Sequence, residues 1–197
     1  MPGQVQVATL TVGAFASNCH IITAPHRAAA LVVDPGDEAE AIVGHLESQA
    51  LTVAAYLLTH GHVDHVSALA AVARTFPAPI GLHARDAAWA FTTANSMPPY
   101  YGTPAAPALI ERAWADGQAW TEIGLAFEIL ETPGHSPGSV SFYFREAGVL
   151  FSGDVLFAGS VGRADLPGGD APTLGRSLRR LLTLPDETRV YPGHGPA

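Results

Sequence analysis

The sequence contains few charged residues and very little cysteine. Asp, Glu, Lys and Arg together make up 14% of the 197 residues, and 10 Lys and Arg against 18 Asp and Glu give a formal net charge of −8. A nucleic-acid surface needs clustered basic side chains, so this balance argues against nucleic acid as a partner. Because Cys19 is the single cysteine, an internal disulfide is excluded, and a reducing compartment is expected.

Long apolar runs are also missing. No run approaches the roughly 20 residues of a membrane span, and the first residues, Met-Pro-Gly-Gln-Val-Gln-Val, lack the basic start and apolar stretch of an export signal. We therefore expect a cytoplasmic protein without membrane association. Hydrophobic residues still make up 48% of the chain, which is enough for the core of a single domain spanning residues 1–197.

Apolar patterning predicts strands, then helices, then strands and a final helix. Residues 96–107, which are rich in proline, are expected to form an irregular loop. This order is typical of a layered α/β domain with at least partly antiparallel sheets. The predicted strands cover residues 5–12, 18–23, 28–33, 53–58, 80–82, 125–131, 139–144, 148–152 and 189–191, and the predicted helices cover residues 38–49, 66–74, 86–93 and 173–182.

The stretch from Thr59 to His65 reads Thr-His-Gly-His-Val-Asp-His and follows a short apolar run directly. In an extended or turning backbone, His60 and His62 can converge on one ion, whereas on a helix their side chains would diverge. Asp64 and His65 could face a second ion beside the first. Imidazole and carboxylate are ligands that zinc, iron and manganese accept, so the stretch predicts a metal site.

Three further ligand-type residues, His135, Asp154 and His194, each lie beside a glycine in a turn that follows a predicted strand. One such turn would mean little, because Gly-Asp and Gly-His pairs are common in loops. Several of them in one chain, all at strand ends, indicate that the strand ends meet at one edge. We expect a pocket at that edge, where binding and catalytic groups commonly collect.

In this order, and with the early turn Asp34-Pro-Gly36, the motifs resemble the metallo-β-lactamase superfamily over nearly the whole chain. The resemblance implies a four-layer αββα sandwich with two divalent metal ions at one sheet edge, zinc being the first choice and iron or manganese the alternatives. It also implies the following ligands: His60, His62 and His135 for one ion, Asp64, His65 and His194 for the other, and Asp154 bridging them.

Within the superfamily, residues 153–170 and 191–196 are most similar to the small glyoxalase II-type hydrolases. This similarity implies cleavage of a small-molecule thioester, such as S-lactoylglutathione, to a hydroxy acid and glutathione by a metal-bridging hydroxide that Asp64 orients. Arg163 is the candidate for binding the substrate, unless it serves only as the ion-pair partner of Asp165. The chain stops three residues after His194, so the C-terminal helical domain that helps full-length glyoxalase II hold glutathione is expected to be missing. The oligomeric state stays open between monomer and homodimer.

Other chemistries of this fold remain open. Persulfide dioxygenases share most of the motif set and use a single iron, for which His60, His135 and Asp154 would be the ligands here. A lactonase or ester hydrolase would use the same hydroxide, and a metal-binding scaffold without turnover is the alternative outside enzymes. A true β-lactamase is disfavoured, because Asp154 stands where many of these enzymes place Cys.

Overall fold

The framework of the computed structural model, which describes residues 4–197, is a pair of β-sheets. The first sheet has six strands in chain order. Strands β1 to β3 pair antiparallel, and β3 to β6 pair parallel. The strands are β1 (Gln6–Val12), β2 (Ser17–Thr23), β3 (Ala29–Val33), β4 (Thr52–Leu57), β5 (Ile80–His83) and β6 (Arg112–Trp114).

The second sheet has five strands in the order β13-β10-β9-β8-β7, and a small two-stranded hairpin, β11–β12, lies outside it. Strands β7 to β10 pair antiparallel, while β13 pairs parallel with β10. The strands are β7 (Ala119–Glu122), β8 (Leu125–Glu131), β9 (Val140–Phe144), β10 (Val149–Gly153), β11 (Leu156–Phe157), β12 (Ser160–Val161) and β13 (Arg189–Pro192).

In the described part of the chain, five α-helices connect and cover the sheets. Helix α5 is the longest, and its first turn is capped by Asp170, whose side chain accepts a hydrogen bond from the Thr173 backbone N–H. Among residues 4–197, no helix is long and apolar enough to cross a bilayer. The helices are α1 (Ala39–Ser48), α2 (Val63–Val66), α3 (Leu69–Thr75), α4 (Ala84–Ala87) and α5 (Ala171–Leu181).

The period of two along the strands separates three apolar layers. In β2, Ile21 faces the helices α1 and α3, whereas Ile22 faces the second sheet. In β9, Phe142 and Phe144 fill the space between the sheets, whereas Tyr143 packs toward α5. Helix, sheet, sheet and helix are therefore stacked in that order, and the predicted four-layer αββα sandwich is confirmed.

Three parts of the secondary structure differ from the prediction. Strands β6 and β7 and the hairpin β11–β12 were not predicted, because they are short and partly exposed. The helix expected over residues 86–93 is the shorter α4, which begins at Ala84. The helix expected over residues 66–74 begins earlier and is divided into α2 and α3, and the Ser67 hydroxyl bonds back to the Val63 carbonyl at 2.6 Å near the break.

Candidate metal centre

The seven predicted metal ligands come together at one edge of the two sheets. His60 and His62 follow the end of β4, Asp64 and His65 lie in α2, and the others follow β8, β10 and β13. Ligand-type atoms lie within 4.8 Å of one another in three groups. The groups are His60, His62 and His135 (the first group), Asp64, His65 and His194 (the second group), and Asp34, His60 and His65.

In the first group, imidazole nitrogens face each other at short distance. His62 Nδ1 lies 2.8 Å from His135 Nε2, a contact between two lone pairs unless a proton or a metal ion lies between them. His60 Nε2 is buried and has no hydrogen-bond partner among the described residues. A buried polar atom without a partner is rare, and a cation that accepts all three nitrogens accounts for both observations.

Asp154 lies between the two groups. Its Oδ2 is 3.5 Å from His135 Nε2 and 3.4 Å from His194 Nε2, and its Oδ1 is 3.5 Å from His65 Nε2. Within the second group, Asp64 Oδ2 lies 3.3 Å from His194 Nε2. Because Asp154 Oδ1 is also buried without a hydrogen-bond partner in the described chain, this carboxylate fits the bridging position that the resemblance implies.

The two imidazoles that follow β4 are neutral. Burial, reinforced by the neighbouring imidazoles, lowers the pKa of His62 to about 3 and holds the pKa of His60 well below its ordinary value. At neutral pH, both side chains therefore keep a free lone pair. That is the protonation state in which histidine binds a metal ion.

The carboxylates of the centre are ionised. Burial alone would raise the pKa of Asp154, but the charge of His65 and hydrogen bonds from His194 and His65 hold it well below its usual range. The pKa of Asp64 is lowered in the same way, against its burial. Burial would lower the pKa of His194, but its hydrogen bonds to the two carboxylates raise it to about 9. The negative charge of the two carboxylates, which raises the pKa of His194, also favours the binding of cations. The set of imidazole and carboxylate donors suits zinc, iron or manganese.

Four of the histidines are oriented by a contact at the ring nitrogen that faces away from the centre. With Nδ1 engaged, Nε2 is left to point into the centre, an arrangement typical of metal-binding histidines. The contacts from Nδ1 are His60 to Thr59 Oγ1 (3.0 Å), His65 to Asp34 Oδ2 (3.1 Å), His135 to the Arg163 carbonyl (2.8 Å) and His194 to the Phe15 carbonyl (3.0 Å).

Asp34 holds residues of the metal centre in place through hydrogen bonds. Besides its contact with His65, this buried carboxylate accepts hydrogen bonds from the Thr59 backbone N–H at 2.8 Å and from the Thr59 hydroxyl at 2.5 Å. Both of its oxygens are thus already engaged. The residue therefore orients His65 and the start of the His60 loop, and the third group is better explained as support than as a separate metal site.

Asp86 is a second supporting residue, and sequence reasoning missed it. Its fully buried carboxylate accepts hydrogen bonds from the Gly61 backbone N–H at 2.9 Å, the Ser136 hydroxyl at 2.6 Å and the Gly138 backbone N–H at 2.7 Å. A Cβ at Gly138 would lie only 2.7 Å from Asp86 Oδ1. One side chain thus ties together the loops that carry the first group. No local signal in the sequence indicates this role.

A cavity of about 430 Å³ opens onto the centre, and Arg163 is one of the residues that line it. The Arg163 guanidinium forms a two-pronged ion pair with Asp165, with N···O distances of 2.7 and 2.8 Å. Both side chains are exposed. The ion pair between Arg163 and Asp165 that the sequence suggested is therefore present. Because Arg163 also lines the cavity, substrate binding by this residue stays a prediction.

Two curated relatives match nearly the whole chain. A probable metallo-hydrolase of Bacillus subtilis, YqgX, is 41% identical over 194 residues, which cover 95% of this chain and 89% of the relative. The hydroxyacylglutathione hydrolase GloC of Haemophilus influenzae is 37% identical over 195 residues, covering 97% of this chain and 91% of the relative.

Solved structures agree with the fold. BLEG-1, described as a B3 metallo-beta-lactamase, superposes with a TM-score of 0.89 at 38% identity, covering 97% of this chain and 92% of that one. TTHA1623 in a di-iron-bound form superposes with a TM-score of 0.84 at 40% identity, covering 96% and 93%. The sequence model of the metallo-beta-lactamase superfamily matches residues 12–194. The chain is therefore a metallo-hydrolase that belongs to the metallo-beta-lactamase superfamily.

Proposed function

We propose that this protein hydrolyses a small-molecule thioester of the S-lactoylglutathione class at a pair of divalent cations. The observation that carries the proposal is the position of Asp154, whose carboxylate contacts His135 of the first group and His65 and His194 of the second. His60, His62 and His135 would hold one cation, and Asp64, His65 and His194 would hold the other. The name of the Haemophilus relative supports the substrate class.

The side chains supply position and charge. When bound, divalent cations would supply a water of lowered pKa, about 7, and so a source of hydroxide for attack on a carbonyl at neutral pH. Asp64 is our candidate catalytic residue: it lines the cavity, and the Ser17 hydroxyl donates to its Oδ2 at 2.9 Å, which fixes the carboxylate. From there it can accept a hydrogen bond from the attacking oxygen and orient it. In the overall reaction, the oxygen of water bonds to the acyl carbon, the C–S bond breaks, and the thiolate takes up a proton.

Chelation tests the proposal directly. We expect a fully chelated sample to keep less than about one hundredth of its thioesterase rate, because bulk water has a pKa near 15.7 and supplies little hydroxide. Activity should return on adding zinc, iron or manganese, with two ions per chain by elemental analysis. A chelated sample that retains its rate would contradict the proposal.

The same samples separate the competing chemistries. One iron per chain, together with oxygen uptake on glutathione persulfide, would point to a dioxygenase. Because BLEG-1 is described as a B3 metallo-beta-lactamase, a chromogenic cephalosporin belongs in the substrate panel. Faster turnover of that cephalosporin, or of a lactone, than of the thioester would replace the thioester proposal.

The Arg163→Glu variant tests the substrate contact. A guanidinium binds a carboxylate well, so reversing its charge should raise KM about fivefold or more for S-lactoylglutathione, which is anionic. KM for the neutral thioester S-lactoyl-N-acetylcysteamine should change little. Arg176→Glu, an exposed charge reversal on α5, is the matched control. Equal changes in KM for both thioesters would indicate that Arg163 only pairs with Asp165.

A further inference from the structure

The cavity at the metal centre adjoins a second cavity of about 310 Å³, and His62 lines both. The two cavities share His62, Asn95, Met97 and Leu166 in their walls. Because they share these wall residues, the two cavities are adjacent, and we treat them as two arms of one cleft. We name the second cavity the Trp89 arm, and the part of the first that borders Phe157, Val161 and Arg163 the Arg163 arm.

The Trp89 arm is almost entirely apolar. Beyond the shared residues, its walls are built mainly from Trp89, Ala94, Pro137 and Pro167. The Trp89 ring lies against the His62 ring, with 5.3 Å between centroids, so the arm begins directly beside a proposed metal ligand.

Besides His62 and the indole N–H of Trp89, this arm is lined by two polar side chains, whose donor groups are already engaged. The Asn95 amide donates to the carbonyls of Gly61 at 2.8 Å and Ala90 at 2.6 Å, and the Ser96 hydroxyl donates to the Thr93 carbonyl at 2.9 Å. Water in this arm would therefore find few partners. Its displacement by an apolar group is favourable at about 25 cal/mol per Å² of apolar surface removed from water.

The Arg163 arm differs in that polar groups accompany its apolar residues Phe157 and Val161. Its wall carries the Arg163 guanidinium and Ser160, groups that can meet the carboxylates and amides of a glutathione-like leaving group. A thioester whose carbonyl lies at the metal centre can therefore direct its thiol portion toward Arg163 and its acyl portion past His62. With the opposite orientation, charged carboxylates would enter an apolar arm without a partner, which is costly.

We propose that the Trp89 arm binds the acyl substituent, and that the preferred substrates are thioesters whose acyl group carries an aryl or branched alkyl group. This inference rests on the proposed function and specifies its substrate class. A cavity of about 150 Å³ lined by apolar side chains is large enough for benzene, so the 310 Å³ of this arm accommodates a phenyl ring. A lactoyl methyl group would leave most of it unfilled.

Two thioesters that differ only in this group provide the test. S-lactoylglutathione and S-mandeloylglutathione share the glutathione portion and the α-hydroxyl, and differ by methyl against phenyl. With the metal-loaded protein, we expect kcat/KM to be about tenfold or more higher for S-mandeloylglutathione, the range that a well-filled apolar pocket provides. A binding readout is independent of turnover: in calorimetry, S-benzylglutathione should bind more tightly than S-methylglutathione.

Filling the arm should remove the preference. Ala94 is exposed, and it lines the Trp89 arm but not the cavity at the metal centre. In Ala94→Phe, kcat/KM for S-mandeloylglutathione should fall about tenfold, whereas that for S-lactoylglutathione should stay within about twofold. Thr93→Phe adds the same ring one position away, on an exposed residue outside the lining, and should change neither value.

The outcomes distinguish this inference from the proposed function. Equal kcat/KM for both thioesters, together with no effect of Ala94→Phe, would show that the Trp89 arm does not bind the acyl substituent. Thioester hydrolysis as the proposed function would stand. No turnover of either thioester by the metal-loaded protein would overturn the proposed function. In that case, calorimetry still tests whether the Trp89 arm binds an apolar group. Tighter binding of S-benzylglutathione than of S-methylglutathione, abolished in Ala94→Phe, would support this role, and equal binding of both thioethers would contradict it.

Discussion

The Asp154→Asn variant will lose on the order of 10³-fold in kcat/KM for thioester hydrolysis, equivalent to about 4 kcal/mol of transition-state stabilisation. The substitution keeps the shape of the side chain but removes the negative charge that faces His65, His135 and His194. An amide is a poor bridge between two cations, because it offers one neutral oxygen where the carboxylate offers two charged ones. We therefore expect the metal content to fall from two ions per chain to one or fewer.

The measurements for this variant are elemental analysis after gel filtration and kcat/KM with added metal. Asp186→Asn is the matched control, because it removes one negative charge from an exposed side chain between α5 and β13. It should leave both quantities unchanged. If Asp154→Asn held two ions and kept more than about a tenth of the wild-type rate, the bridging role of Asp154 would be wrong.

The parts of the fold that the sequence predicts are those whose residues alternate or remain apolar over a whole strand. Strands β8 and β9 agree with the prediction to within one residue, because their side chains divide between two apolar layers. Strand β6 could not be found in this way. It has three residues, and its stability depends on Trp114 packing over Gly81, where an added Cβ would collide with the indole. That contact joins distant parts of the chain and leaves no local pattern.

The candidate site divides along the same line. The residues proposed to contact metal could be found from the sequence, because coordination restricts them to His and Asp, and because sharp turns place glycine beside them. The residues that hold those ligands in place could not. The Arg163 carbonyl orients His135 through its backbone, so any residue type could serve there. Asp86 accepts a hydrogen bond from Gly138, which is 52 positions away, and no local pattern around Asp86 in the sequence predicts that contact.

Removing the Asp86 carboxylate tests how far such support matters. In Asp86→Ala, the Gly61 N–H, the Gly138 N–H and the Ser136 hydroxyl lose a buried acceptor. Each buried donor left unsatisfied costs about 1–3 kcal/mol, so the free energy of unfolding should fall by about 3 kcal/mol or more. Urea unfolding of the chelated protein measures this directly. Asp86→Asn, which keeps the side-chain shape and one acceptor oxygen, should fall between the wild type and Asp86→Ala.

The position of Asp86 predicts a second effect that loss of stability alone would not produce. Because Asp86 ties together the loops of His60, His62 and His135, the ion at this first group should bind about 10- to 100-fold more weakly. The ion at the second group should be retained, because none of its ligands forms a hydrogen bond with Asp86 in the described part of the chain. Stepwise chelator competition with cobalt measures the two affinities separately.

Asp116→Ala is the matched control, because the exposed Asp116 carboxylate also accepts a hydrogen bond from a backbone N–H, that of Glu131. This variant should change neither affinity. Equal weakening of both ions in Asp86→Ala would mean that Asp86 stabilises the fold without positioning the first group.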